Sequence, residues 1–399
     1  MQVSSLSRAL YHATGACLTK HTTGTCNHRR RAKHVAMART LATVVALLLA
    51  AVLLSSPPSA AAARAAPPAA HAKQHGIPAV FAFGDSTLDP GNNNRLVGTL
   101  VRADHAPYGR DFPGGAATGR FSDGKLITDY IVESLGIKDL LPAYDTAGVD
   151  EASTGVSFAS GGSGLDEMTA RNALVTSFAQ QITNFQGLLL EMGKPKAAEI
   201  ANKSLYVLSA GTNDVTMYYL LPLRAGQYPT IDSYNEYLIG RFEYYMQNLY
   251  KLGARNFMVA GLPPVGCLPV QKSLHAMQPP LGSGCIADQN AAAERYNAAL
   301  QLMLAKFEAS TAGVKVAYVD VYGPLKDMAT NPQKYGFTET NLGCCGTGLL
   351  EMGALCTSVL PQCRSPEQYM FFDSVHPTQA TYKALADQIV ESHVPKFIK

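Results

Sequence analysis

The sequence predicts an α/β fold, a three-layer α/β/α sandwich with a mostly parallel central sheet, and three observations carry that expectation. Short apolar runs that end in polar or glycine-rich residues recur along the chain. Longer segments with apolar residues at three- and four-residue spacing separate them. Neither an internal repeat nor an interior linker interrupts the alternation beyond Ile77. Strands that alternate with helices form parallel sheets covered on both faces. One domain spanning 77–399 is therefore expected.

Taken in order, the strands are Val80–Phe83, Leu205–Ser209, Phe257–Ala260 and Val316–Asp320. Each is short, apolar and of the length a fully buried strand needs. Three helices stand out. Tyr234–Leu252 carries apolar residues at helical spacing and stops at Gly253, a natural terminator. Asp288–Phe307 has Asp288 as its expected N-cap, with Ala, Leu and Met on the helical period. Pro377–Val390 reads as a last helix with proline in its first turn.

The first 75 residues read differently. They hold nine Lys and Arg and no acidic side chain, whereas the remainder has 24 basic against 30 acidic, a balance of −6. No basic surface able to neutralise many phosphates is evident, so nucleic acid is not an expected partner. Arg29-Arg30-Arg31, Lys33 and Arg39 precede the apolar run Leu41–Leu54, which Pro57-Pro58 and the small residues 59–63 follow. A basic flank, an apolar centre and a small-residue cleavage region make a secretory signal, expected over 37–65 with Met37 as its start. The apolar run is shorter than the roughly 20 residues that span a bilayer. Residues 1–36 then form an upstream extension, and 66–76, rich in Ala and Pro, a linker.

Six cysteines follow the signal: Cys267, Cys285, Cys344, Cys345, Cys356 and Cys363. An even number in an exported chain implies three disulfides. Spacing pairs Cys267 with Cys285. The other four pair among themselves, with Cys344–Cys345 disfavoured by ring strain. No C-x-x-C or His-Cys cluster supports a metal site. Asn202-Lys203-Ser204 is a glycosylation sequon.

Chemistry concentrates at two distant points. Ser86 directly follows the first strand, and Asp373 and His376 lie three residues apart near the last helix. A serine hydroxyl becomes nucleophilic when a base accepts its proton and a third group orients the base. Gly211-Thr212-Asn213-Asp214 follows the second strand, so it shares the rim of the sheet with Ser86, where ligands of such folds bind. Asp85 is expected to brace the turn that presents Ser86.

Five blocks in order carry a resemblance. Phe83-Gly84-Asp85-Ser86 with Asp89 and Gly91-Asn92-Asn93-Asn94 is the first. Phe158-Ala159-Ser160-Gly161-Gly162-Ser163-Gly164 is the second and Gly211-Thr212-Asn213-Asp214 the third. Gly261-Leu262-Pro263-Pro264-Val265-Gly266-Cys267 is the fourth, and Asp373-Ser374-Val375-His376-Pro377-Thr378 the last. From about Ile77 to Val394 the chain resembles the plant-type branch of the GDSL esterase/lipase family, within the SGNH hydrolases of flavodoxin-like architecture. The resemblance implies a cofactor-free serine ester hydrolase with Ser86 as nucleophile, His376 as base and Asp373 as its orienting partner. It also implies an oxyanion hole of the Ser86 N–H, a second-block glycine N–H and the Asn213 amide. Gly164 is the preferred glycine and Gly162 the next, since a backbone without Cβ can approach closely.

The expected partner is an ester: a lipid, an acylated cell-wall polysaccharide or a small ester. The expected place is extracellular, in the apoplast or cell wall. Acyl transfer at the same site, or a silent binding protein of the same fold, are the alternatives. Two residues depart from the family pattern. Ser157 stands where Asn is usual, and Phe372 where the aromatic before Asp is often Trp. Gly119–Leu126 copies the glycine and lysine spacing of a phosphate loop but ends in Leu126 where a magnesium-binding hydroxyl is required. The G-x-S-x-G elbow is absent, so a shallow, open site is expected.

Overall fold

The computed structural model describes residues 76–221, 223–277 and 284–398. The upstream extension, the secretory signal and all of the linker except Gly76 lie outside the described residues. Four parallel strands form the central sheet in the order β1 (Val80–Gly84), β2 (Leu205–Ser209), β3 (Asn256–Ala260) and β4 (Lys315–Val319). All four lie within one residue of their predicted bounds. Beyond β1, residues 156–160 run alongside as an irregular fifth lane. Phe158 N–H donates to Ala82 O at 2.8 Å and Ser160 N–H to Gly84 O at 3.0 Å. A second, two-stranded parallel sheet, β5 (Glu339–Gly343) and β6 (Tyr369–Phe371), is too polar and too short to be read from periodicity.

The helices before β3 are α1 (Ile127–Ser134), α2 (Val149–Ala152), α3 (Glu167–Ala173), α4 (Phe178–Met192), α5 (Lys194–Lys203), α6 (Thr212–Leu220) and α7 (Ile231–Lys251). After β3 come α8 (Pro269–Ala276), α9 (Ala287–Ser310), α10 (Tyr322–Thr330) and α11 (Gln379–His393). Helices α4, α7 and α9 pack together against one face of the sheet, and α1 and α11 pack together on the other. This is the three-layer arrangement the alternation predicts.

The two faces differ in bulk. Because strand side chains alternate, Phe81, Phe83, Tyr206 and Phe257 share one face. There Phe185 of α4 lies 5.0 Å from Phe81 and 5.7 Å from both Phe83 and Tyr206, ring centre to ring centre. Ala82, Val207, Met258 and Ala317 occupy successive positions across the opposite face. That small-residue face lies toward α1 and α11.

The three expected helices differ at their ends by one to three residues, and two of the starts have a clear local cause. The helix of 287–310 begins one residue before Asp288, with Ile286 at the cap position and Asp288 in the first turn, where it faces the positive end of the helix. The last helix begins at Gln379, not Pro377. Thr378 is its N-cap and accepts from Thr381 N–H at 3.3 Å, leaving Pro377 just outside, where its missing N–H costs nothing. Gly253 follows the C-cap of α7 at φ +110°, as its terminator role requires.

The disulfides are Cys267–Cys285, Cys344–Cys363 and Cys345–Cys356. The first was expected, and the other two resolve the open pairing without joining the adjacent cysteines. Asn202 of the sequon is exposed at the end of α5, while the Ser204 hydroxyl is buried and donates to Ile200 O at 2.6 Å.

Candidate active site

The turn that presents Ser86 is built by the end of β1. Gly84 has φ +146°, and a Cβ there would fall 1.8 Å from Ser209 O, so no other residue fits so close to β2. Gln181 of α4 holds the Gly84 peptide from both sides: it accepts from Gly84 N–H and donates to Gly84 O, each at 2.9 Å. The next residue, Asp85, is buried, and its Oδ1 accepts from Thr87 N–H at 3.0 Å and Thr87 Oγ1 at 2.8 Å. This closes the turn that turns Ser86 toward the rim, the bracing role expected for Asp85. Burial pushes the Asp85 carboxyl upward.

Ser86, His376 and Asp373 come together across 290 residues of chain. Ser86 Oγ lies 2.7 Å from His376 Nε2, and His376 Nδ1 lies 2.7 Å from Asp373 Oδ2. Asp373 is fully buried, and Ser86 and His376 are each only 5% exposed. The Asp373 carboxylate is fixed by its own turn, Oδ1 accepting from Val375 N–H at 2.8 Å and His376 N–H at 2.7 Å. With Nδ1 donating to Asp373, Nε2 is left as the acceptor for the Ser86 proton. Such a relay can turn an alcohol into a nucleophile.

One member of this network is absent from the sequence reading. Tyr108 donates its hydroxyl proton to Asp373 Oδ2 at 2.6 Å, on the oxygen that also meets His376. The same hydroxyl accepts from Gly353 N–H at 2.8 Å, in the loop tied down by Cys345–Cys356. Burial and the neighbouring carboxylate both push the Tyr108 phenol upward, so it stays a proton donor. Tyr108 sits in a loop with no periodicity, and its partner is 265 residues away. Only the fold reveals it.

Asn213 stands in the first turn of α6 and donates from Nδ2 to Ser163 O at 2.8 Å, which fixes its amide plane. Asp214, beside it, is buried and holds the second-block loop. It accepts from Leu165 N–H at 2.8 Å, Asp166 N–H at 3.1 Å and Thr169 Oγ1 at 2.6 Å. Desolvation still raises its carboxyl to about 7. The first block grips the same loop through Asp89, which accepts from Gly161 N–H at 2.8 Å, and through Asn93, which donates to Gly161 O at 2.8 Å.

The two glycines of interest separate cleanly. Gly162 lines a cavity together with Ser86, Asn213 and His376. Gly164 lines neither cavity that borders Ser86, and a Cβ on it would point into the Asp214 carboxylate, 2.3 Å from Oδ1. Gly164, the glycine preferred from the sequence, thus packs against Asp214, and Gly162, the next choice, is the one that borders the cavity at Ser86.

The two departures from pattern are accommodated. Ser157 Oγ donates to Leu88 O at 2.6 Å, and Asn92 Nδ2 reaches Ser157 O and Ala159 O at 2.8 Å each. Phe372 is buried against Tyr108, ring centres 5.4 Å apart. In the lookalike phosphate loop, Arg120 is buried and makes a two-pronged pair with Asp129, 2.8 Å at each contact, so the stretch anchors α1. The stretch 261–269 lies beside the site, with Gly261, Pro263 and Pro264 on a cavity wall.

A family model described as GDSL-like Lipase/Acylhydrolase matches residues 80–389. The chain belongs to the GDSL lipase/acylhydrolase family. Among its relatives, the Arabidopsis thaliana GDSL esterase/lipase At2g31550 is 42% identical over 319 residues, 78% of this chain and 88% of the relative. GDSL esterase/lipase At2g40250 from the same plant is 43% identical over 328 residues, 80% and 90% of the two chains. GDSL esterase/lipase At2g30220 is 41% identical over 337 residues, 83% and 93%. Membership in this GDSL family makes the chain a carboxylic ester hydrolase by class, the class its site chemistry fits.

Proposed function

We propose that the protein is a secreted carboxylic-ester hydrolase that works through an acyl-enzyme on Ser86. The observation that carries the reading is the unbroken Ser86–His376–Asp373 hydrogen-bond chain, 2.7 Å at each link. Ser86 Oγ attacks the ester carbonyl as its proton passes to His376 Nε2. The imidazolium that results is stabilised by Asp373, then gives that proton to the departing alkoxide. Water enters, loses a proton to His376 and attacks the acyl-enzyme. The product acid leaves and the serine regains its proton.

Both tetrahedral intermediates carry an oxyanion. The Ser86 and Gly162 N–H groups and the Asn213 side-chain amide are its proposed donors. Asn213 is well suited, because Ser163 O occupies one of its two N–H bonds and holds the other in a fixed direction. Gly162 takes the glycine role because it borders the same cavity as the other two.

Export follows from the basic–apolar–small pattern of 37–65, from which the domain of 77–399 would be released. Three disulfides support it. No helix among the described residues is long and apolar enough to cross a membrane. An extracellular site, in the apoplast or cell wall, is the destination this implies.

The test is intact-mass analysis after treatment with a serine-directed fluorophosphonate, run beside Ser86→Ala. A single adduct that the variant lacks, with loss of p-nitrophenyl acetate hydrolysis, is expected. Hydrolysis retained in Ser86→Ala would remove that residue from the mechanism.

A further inference from the structure

Two cavities meet at Ser86, and both are bordered by Asn213, Val375 and His376. They differ in size and in what lies behind the opening. The wider, about 480 Å³, runs past α3 and α6 and includes the polar side chains of Thr169, Asn172 and Arg224. Its rim opens to solvent through Leu100, Leu223 and Leu355, each more than 60% exposed. The narrower, about 100 Å³, leads inward from Ser86 into the layer between the sheet and α1 and α11.

That narrow space lies against the face of the sheet that carries no aromatic ring. Val207, Met258, Ala260 and Val319 line it from the strands, and Leu385 and Ile389 from α11. From Tyr382 to Ile389 its wall covers two turns of helix, about 10 Å at 1.5 Å per residue. Polarity is confined to the entrance. Asp85 and Tyr382 stand there, at the Ser86 turn and in the first turn of α11. Asp85 Oδ2 and the Tyr382 hydroxyl have no partner among the described residues. Deeper in, the lining is hydrocarbon.

Resting on the ester-hydrolase reading, we propose that this narrow cavity is the acyl-chain site and that the substrates are esters of straight-chain aliphatic acids. An ester seated at Ser86 has two arms, and each cavity takes one. The alcohol must leave, and water must reach the acyl-enzyme, while the acyl arm stays attached. The arm that leaves therefore belongs in the cavity with the solvent-exposed rim, and the arm that stays belongs in the one none of whose lining residues is exposed. A linear chain suits a narrow aliphatic channel, and the wide cavity, with its mixed polar lining, suits a bulky hydroxylated alcohol. Each methylene transferred from water to such a lining contributes about fourfold in kcat/KM until the channel is full.

The experiment compares p-nitrophenyl esters from acetate to decanoate with alkyl acetates from ethyl to octyl. Rates are measured on the wild-type protein and on Ala260→Leu, which narrows the channel at the end of β3. In the wild type, kcat/KM should climb about fourfold per acyl methylene and then level off, with no comparable climb in the alkyl acetates. In Ala260→Leu the octanoate-to-acetate ratio should fall at least tenfold. A climb with the alcohol chain instead, or an unchanged ratio in Ala260→Leu, would overturn the assignment. So would a flat acyl series with acetate turnover intact, which leaves the hydrolase reading standing. If no ester turns over, the hydrolase reading fails, and the channel is judged by binding alone. Octanoate should raise the melting temperature of the wild type and not of Ala260→Leu, and a rise in neither would sink the proposal.

Discussion

Replacing Tyr108 with Phe removes one hydroxyl and leaves the ring, which is buried between Phe121 and Phe372. Two hydrogen bonds go with it. Gly353 N–H loses its acceptor, and Asp373 Oδ2 keeps only His376 of its two partners. Leaving a buried donor unmade costs about 1–3 kcal/mol. A domain of roughly 320 residues unfolds with an entropy of about 0.7 kcal/mol/K, so the melting temperature should fall by about 2–4 °C. The catalytic effect is separate. A hydrogen bond to a charged group contributes about 1.5–3 kcal/mol, and the orientation of Asp373 matters most when His376 carries its extra proton. At about 1.4 kcal/mol per factor of ten, kcat should fall between roughly 10- and 100-fold. KM should hold, because Tyr108 lines neither cavity. Steady-state hydrolysis of p-nitrophenyl acetate, with thermal unfolding in parallel, measures both. In an Asp373→Asn background the same change should add little to the kcat loss, since its route to the reaction is already broken. If kcat stays within about twofold of wild type while the melting temperature drops, Tyr108 is a scaffold residue and the argument from its position fails.

Asn213→Ala should lower kcat by about 10²–10³-fold with little change in KM, as for other side-chain oxyanion donors; a change confined to KM would take Asn213 out of the oxyanion hole. The Asp214 carboxyl is raised from 3.8 to about 7 by burial. The folded protein thus keeps a proton there that the unfolded chain has already released. Its stabilising effect is complete below about pH 4 and is lost as pH rises to about 7, by an amount on the order of 4 kcal/mol. The melting temperature of the wild type, measured against that of Asp214→Asn, should therefore fall from pH 4.5 to 8. A relative rise would mean that the three donors on this carboxylate outweigh its burial. Removing Cys345–Cys356 by a paired Cys→Ser change opens a short loop, an effect of roughly 3 kcal/mol. Because that loop carries Gly353, kcat should fall along with the melting temperature. Full activity at a lowered melting temperature would show that Tyr108 keeps its place without the crosslink.

The strands were legible because each is a run of apolar and β-branched or aromatic residues closed by polar ones, and the sheet is buried on both faces. Ser86, Asp373 and His376 were legible as a serine after a strand and a carboxylate–imidazole pair near the last helix, and their roles, like that of Asn213, came from the resemblance of the five blocks to the GDSL family. The structure brings all four together. Three features escaped. Tyr108 is defined by a partner far along the chain, which no local pattern encodes. The difference between Gly162 and Gly164 lies in what each packs against, the cavity or the Asp214 carboxylate, and both read alike as glycine. The narrow channel depends on non-aromatic residues from three strands sharing one face, and each strand alone looks like ordinary core. The shallow, open site expected from the missing nucleophile elbow describes the wide cavity and misses the narrow one.

The Cys267–Cys285 bond closes a short excursion between β3 and α9, whose two ends are also held by Ile286 N–H donating to Gly266 O at 2.9 Å. Ser86 lies upstream of that excursion, and Asp373 and His376 lie downstream. A protease that severs the backbone anywhere between 268 and 284 would thus produce two polypeptides, one with Ser86 and one with Asp373 and His376. The disulfide would hold them as a single particle. Such a nicked protein would run as one band on a non-reducing gel and as two after reduction. It should keep its turnover until a thiol is added.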